Sequence, residues 1–184
     1  MVAVPTRHQF TVDDLKQFVA TGVLSEDDRI ELIEGELFDM SPINEPHADT
    51  VDTLNESLLP LVRPEGRLRV QNPVRLSDLS IVQPDVAIVR RQGYRQHHPI
   101  PDDVLLLIEV SDSTLSFDLR TKVPLYARAG VPEVWIVDVN ARIIHRFRQP
   151  EGSAYLLTDQ LRSGDTISID ALPHVTLAVA DIFE

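Results

Sequence analysis

The run Val104-Leu-Leu-Leu-Ile-Glu-Val110 constrains this chain more than any other stretch, because it places one carboxylate inside otherwise unbroken apolar sequence. Alternation puts Val104, Leu106, Ile108 and Val110 on one strand face, and Leu105, Leu107, Glu109 and Ser111 on the other. Both faces are apolar until the end, which predicts a central strand covered on both sides. An ionised Glu109 in such a place costs free energy unless it is paired or bound to metal. A second run, Ile81 to Val89, carries Asp85 on the face of Ala87 and Val89. If the two strands are neighbours, both carboxylates converge at one end of the sheet. Mg²⁺ is held in that way, by one or two carboxylates with water and substrate phosphate completing the shell.

Around these strands the chain reads as follows. Thr11 is the N-cap of a short helix with Asp13 and Asp14 in its first turn, a stripe of Leu15, Phe18 and Val19, and a stop at Gly22. Ser25 to Asp28 start a second short helix through Ile30, Leu32 and Ile33, which Glu34-Gly35-Glu36 breaks ahead of a strand over 37–40. Pro46 opens the next helix, whose apolar positions are Val51, Leu54, Leu58 and Leu61, with His47 one turn earlier on that side. Leu68 to Leu76 reads as one strand, with Pro73 marking an edge or a bulge. A polar surface loop over 90–103 leads to the apolar strand, and then to a helix over about 116–129 that Gly130 ends. Pro124 makes its first turn irregular, with regular helix from near Lys122. Strands over 134–139, 143–148, 155–157 and 166–169 form an antiparallel meander, and the apolar tail over 175–183 packs back on the body. With no repeat or linker, the order predicts one α/β domain over 1–184: a central mixed sheet flanked by helices, with a C-terminal meander.

The chain has 184 residues, enough to bury a core, and no cysteine, which rules out disulfides and thiolate metal sites and permits a cytoplasmic location. Met1 to Pro5 are apolar but few and lack a basic flank, so no signal peptide is expected there. No apolar run approaches the roughly 20 residues that cross a bilayer, and no membrane association is expected. The net charge of −12 counts against a protein that coats nucleic acid nonspecifically. Among the basic residues only Lys16 and Lys122 are lysines. A lysine is a compact point charge that can sit beside a carboxylate and a water, which the planar arginine fork does less well.

Asp118, Lys122 and Tyr126 lie at i, i+4 and i+8 and share a helix face. The ordinary reading is an exposed Asp–Lys pair beside a core tyrosine. The ordered set says more. Pro84-Asp85, Glu109-Val110-Ser111, Asp118, Lys122, Tyr126 and Gly130-Val-Pro-Glu-Val-Trp135 follow Ile30-Glu31-Leu-Ile-Glu34-Gly-Glu-Leu37, Met40-Ser-Pro42 and His47. Together, from about Thr11 to Phe183, they resemble the Uma-type "putative restriction endonuclease" family of the PD-(D/E)XK nuclease superfamily. The resemblance implies a restriction endonuclease-like fold and a homodimer that hydrolyses DNA phosphodiesters with Mg²⁺ or Mn²⁺. Asp85, Glu109 and the Val110 carbonyl would bind the metal, and Lys122 would orient water or stabilise the transition state. The superfamily's usual lysine lies two residues after the strand glutamate, where this chain has Ser111. The resemblance therefore implies that the amine has moved to the helix, and a Lys122 pointing elsewhere would mean a degenerate site. Glu31 or Glu34, both expected on the N-terminal helix, would supply an outer carboxylate. Glu34 is slightly favoured for its place beside Gly35, although an ordinary acidic helix surface explains either residue equally well. His47, Ser111, Asp118 and Tyr126 would support the site.

His97-His98 lacks an apparent third ligand and reads as solvated. Arg63, Arg67, Arg69 and Arg75, with Arg142, Arg146 and Arg148, could line a DNA groove, but blunting sheet edges is their commoner role. Two other functions remain open. One is a non-catalytic nuclease-fold module acting through protein contacts or oligomerisation, which the acidic balance favours. The other is a metal-dependent hydrolase of something smaller than DNA.

Overall fold

The first helix begins where its cap predicts. Thr11 Oγ1 accepts from the Asp14 amide and Asp14 Oδ2 accepts from Thr11 N at 2.8 Å, a reciprocal box that starts α1 (Val12–Ala20). The computed structural model describes residues 7–25 and 27–183. Met1 to Pro5, and Glu26 of the expected second helix, lie outside the described residues. Among the described residues no helix is long and apolar enough to cross a membrane.

That second helix does not form. Residues 30–33 are a strand, β1 (Ile30–Ile33), paired antiparallel with β2 (Glu36–Asp39). Glu31, Leu32 and Ile33 are consecutive and all buried, which a short amphipathic surface helix cannot achieve but a strand between two packed layers can. Glu34 and Gly35 have φ of 50° and 83°, the positive pair that a two-residue hairpin turn of type I′ requires.

The two longest expected strands both break at proline-bearing corners. Residues 68–76 divide into β3 (Gly66–Val70) and β4 (Val74–Ser77), with Gln71 at φ 47° between them. Residues 81–89 divide into β5 (Ser80–Val82) and β6 (Val86–Arg90) at Gln83-Pro84-Asp85. Proline has no N–H for a ladder, so each corner passes the chain from one sheet to another. One sheet has the order β2-β1-β5-β4.

The larger sheet adds β7 (Val104–Ser111), β8 (Glu133–Asp138), β9 (Ile143–Glu151) and β10 (Ala154–Leu161), in the order β10-β9-β8-β7-β6-β3. Only β7 and β8 pair in parallel within it, so it is mixed, and β8-β9-β10 are the expected meander. Strand β11 (Thr166–Ile169) leaves that meander to pair with β12 (Leu172–Ala178).

Helix α2 (Glu45–Val62) covers one face of the larger sheet with Val51, Leu54, Leu58 and Val62. Leu61, expected among them, is 37% exposed, because eleven residues on from Val51 the 3.6-residue period returns to Val62. The tail packs here through Val175, Val179 and Ile182. On the opposite face Leu107, Tyr126, Val82 and Val74 form a second apolar cluster. Strand β7 is thus covered on both sides. Its alternation slips once: Ile88 pairs with Leu106 but Val89 with Val104, a bulge that moves Val104 into the cluster of Leu107.

The helical stretch after β7 comprises α3 (Leu115–Phe117), a π-helical turn (Asp118–Lys122) and α4 (Val123–Ala129). In the π turn the Val123 N–H reaches the Asp118 carbonyl, five residues back. Pro124 explains it, since proline offers no N–H to the carbonyl four residues earlier and its ring would collide with it. Gly130, at φ 79°, ends α4.

Gly35 tests the hairpin. A Cβ there would lie 2.5 Å from Gln9 Cβ, in a backbone conformation that L side chains rarely adopt. Gly35→Ala is expected to cost about 1–3 kcal/mol, lowering the melting temperature by roughly 2–4 °C per kcal/mol at this chain length. An unchanged melting temperature would contradict the turn assignment.

Candidate active site

Asp85 sits at the corner just before β6 and is 6% exposed. Its Oδ2 accepts from the Val110 amide at 2.9 Å and lies 3.1 Å from His47 Nε2, while Oδ1 lies 3.3 Å from the Gln71 amide. Burial opposes its ionisation, but His47, the Val110 N–H and Gln71 outweigh burial, and its pKa lies below the ordinary aspartate value. The β6–β7 pairing makes this possible: Val86 stands opposite Ile108, so the antiparallel register brings Asp85 level with Glu109, within side-chain reach of the next N–H, that of Val110.

Glu109 projects from β7 on the face of Leu107 and is 3% exposed. Its Oε1 receives the Tyr126 hydroxyl and lies 3.1 Å from Lys122 Nζ. Lys122 Nζ also reaches both oxygens of Glu31, at 3.1 and 3.0 Å. Glu31 is held in turn by the Gln83 N–H at 2.7 Å, across the corner that carries Asp85. Burial would discharge Lys122, but Glu109 and Glu31 more than compensate and raise its pKa, so it stays an ammonium. Burial pushes the Glu109 carboxyl well above its usual range; Lys122 pulls it down, while Asp85, Asp118 and Glu31 push it further up. The Tyr126 phenol is driven up by burial and then by Glu109, so it remains a donor.

Asp118, the first residue of the π turn, is buried and accepts from Ser111 Oγ at 2.7 Å and Thr114 Oγ1 at 2.6 Å. Burial raises its pKa, against Lys122 and those two hydroxyls. Four buried carboxylates (Glu31, Asp85, Glu109 and Asp118) therefore surround one buried ammonium. All five residues, with His47 and Val110, line a cavity of about 380 Å³. Its further acids are Asp39 and Asp112, and Arg29 is its remaining basic residue apart from Lys122 and His47.

Most residues singled out in the sequence meet here, with one exchange. Glu31 is in the cluster, on a strand rather than a helix. Glu34, the slightly favoured acid, is not. Its side chain is exposed in the hairpin turn and pairs with Arg128 at 2.9 Å. Strand geometry gives the reason: Glu31 faces the layer between the sheets, whereas the positive-φ turn swings Glu34 to solvent. Asp118, Lys122 and Tyr126 do share a side of the helix, but it is buried against β7, not the exposed pair of the ordinary reading. The Gly130–Trp135 motif lies outside the cluster. It caps α4 and opens β8, where Glu133 accepts from the Trp135 indole at 2.8 Å. His97 and His98 are exposed as expected. Gln71 and Gln83 went unnoticed in the sequence, because their contacts depend on which strands become neighbours.

Among the described residues no three His, Cys, Asp or Glu side chains are already grouped as ligands of one ion. Among the described residues Glu109 Oε2 and Asp118 Oδ1 receive no hydrogen bond, and Asp85 Oδ1 has one long contact, to Gln71.

Comparisons with known proteins bear on the family and the fold. The model of the Uma2 family, described as "Putative restriction endonuclease", matches residues 13–180. A crystal structure from Anabaena variabilis ATCC 29413, described as a "putative nuclease belonging to DUF820", superposes with a TM-score of 0.69 at 16% identity, covering 95% of this chain and 97% of that one. At that identity the likeness establishes the fold, which is restriction endonuclease-like. The type IIG restriction endonuclease BpuSI matches at a TM-score of 0.38 and 15% identity, over 60% of this chain and 13% of its own, too partial to bear on the fold. Curated proteins yield no match. The family match runs through both sheets and every residue of the acidic cluster, and the chain belongs to the Uma2 family.

Proposed function

We propose that the acidic cavity hydrolyses phosphodiester bonds of DNA with Mg²⁺ or Mn²⁺. The observation that carries this reading is the Lys122 ammonium, held between Glu31 and Glu109 beside an ionised Asp85 in one cavity. The donor set fits a hard divalent ion. Asp85 Oδ1 and Glu109 Oε2 are little engaged by the protein, and the surplus of buried carboxylate calls for a cation. Asp85 and Glu109 would hold it, with the Val110 carbonyl as a further oxygen ligand. When bound, such an ion neutralises charge on the scissile phosphate and lowers the pKa of a water.

The chain's own groups do the positioning. His47, the Val110 N–H and Gln71 keep Asp85 ionised and fixed. Tyr126 and Lys122 engage Glu109 Oε1 and so leave Oε2 for a ligand. Lys122 offers its remaining N–H to the attacking water or to the charge that grows on the phosphoryl oxygens. Ser111 and Thr114 hold Asp118 behind it. Two copies would pair, because cutting both strands of a duplex takes two hydrolyses and the described residues carry one such cluster.

One observation favours the other reading, a non-catalytic nuclease-fold module: six acids line the cavity of a chain whose net charge is already −12. Metal titration separates the two. Calorimetry with Mn²⁺ is expected to show binding at millimolar metal that Asp85→Ala abolishes; no binding by the unaltered chain would sink the catalytic reading. Lys122→Met is expected to slow metal-dependent DNA cleavage by roughly 10²–10³-fold, with Glu34→Gln close to the unaltered rate. Equal loss in both variants would show that the assignment of the cluster is wrong. Lys122→Met also leaves Glu31 and Glu109 facing each other, so metal-free urea unfolding should show a loss of about 3–5 kcal/mol. Light scattering at micromolar concentration is expected to give a dimer, and a monomer would remove the paired-site inference.

A further inference from the structure

A second cavity, of about 570 Å³, lies between α1, β4 and the loop after β6, and its charge is opposite to that of the first. Lys16, Arg75, Arg95, His97 and His98 line it, and among the described residues no acid does. On a chain of net charge −12 that segregation is notable. Behind it Arg69 lies over the Tyr94 ring, 5.7 Å from the centroid. Arg69 is under-used for an arginine: among the described residues its Nε is buried without a partner and its one hydrogen bond, to Asn72, is 3.5 Å long. The cations act on one another. Partial burial of the His98 ring, and then neighbouring Arg69, Lys16, His97 and Arg75, lower the pKa of this otherwise exposed residue.

We propose that this basic cavity takes the phosphate backbone of a nucleic acid strand that runs past the acidic cavity. Register places the two cavities on one route. Arg69 pairs with Ala87 and Ala87 with Leu107, so Arg69 shares a sheet face with Glu109, two residues beyond Leu107. Along β3 it stands two residues, about 7 Å, before Gln71, whose amide touches Asp85. A backbone lying along this edge strand meets cations first and the acidic cluster next. The cations are available to it. Lys16 pairs with Asp13 and Arg75 with Asp78, but both acids are at least 73% exposed, and such surface pairs exchange readily for phosphate. Arg95 makes no hydrogen bond among the described residues. Tyr94 offers an aromatic face among these charges, as surfaces that bind single strands do.

The nucleic acid as partner rests on the phosphodiester reading above, so the test measures binding without cleavage. In an Asp85→Asn background, without divalent metal, a fluorescent DNA duplex and a single strand of equal length would be titrated across a salt series. Lys16→Gln, Arg75→Gln and Arg95→Gln together are expected to weaken binding at least about 10-fold and to flatten the log–log salt dependence by roughly 2–3. Arg75→Lys, which keeps the charge, should keep the affinity. Arg95→Glu alone, on an exposed loop, tests the proposal if the triple variant melts early, and should weaken binding in the same direction. Unchanged affinity and slope in these variants would overturn the proposal, as would inorganic phosphate binding as tightly as DNA. The phosphodiester reading would stand or fall separately, on whether the unaltered chain hydrolyses bis(p-nitrophenyl) phosphate with Mn²⁺ and Asp85→Ala does not.

Discussion

The ammonium of Lys122 between Glu31 and Glu109 is the contact on which the rest of the structure turns. It joins three elements far apart in the chain: a strand of the small sheet, the central strand of the large one, and the π turn that follows it. Each charge alone would be costly at such burial, and the two glutamates without the lysine would repel each other. Held together they fix how the sheets face one another. They also leave a deficit of positive charge in the cavity that opens beside them.

The π turn gives the lysine its position. Pro124 cannot continue the α-helical ladder backward, and the extra residue between Asp118 and Val123 satisfies the backbone another way. Asp118 and Lys122 are then both buried against β7, where Ser111 occupies the place two residues after Glu109 and donates to Asp118. The strand position that could have carried a lysine serves the helix instead, and the helix returns the amine. A neighbouring helix thus places a cation within hydrogen-bond distance of the strand glutamate.

The acidic balance of the chain acquires a different meaning once its charges are placed. Acids concentrate in the cavity of Asp85 and Glu109, while Lys16, Arg75 and Arg95 collect around the other. Net charge averages over this arrangement and conceals it. Arg146 and Arg148, by contrast, are engaged by Asp159, and Arg148 also by Asp170; they stand on β9, between β10 and β8, and so do not blunt a sheet edge.

How much could be read in advance depended on the range of the interaction concerned. Local chemistry was legible: the Thr11 capping box, Pro46 in the first turn of α2, Gly130 at the end of α4, and an apolar run that could only be a covered central strand. The cluster of Asp85, Glu109 and Lys122 was legible as an ordered set of residues. The short Ile30–Ile33 segment was not, because four apolar-rich residues fit a helix stripe and a buried strand equally, and only pairing with β2 and β5 decides between them. Glu31 and Glu34 exchanged places for that reason. The sequence by itself determined which chemical groups are present and which must be covered. The tertiary structure alone decided which acid meets the lysine and which charges share a cavity, because those contacts span from 13 to 91 residues of chain and follow from sheet order, which no local pattern encodes.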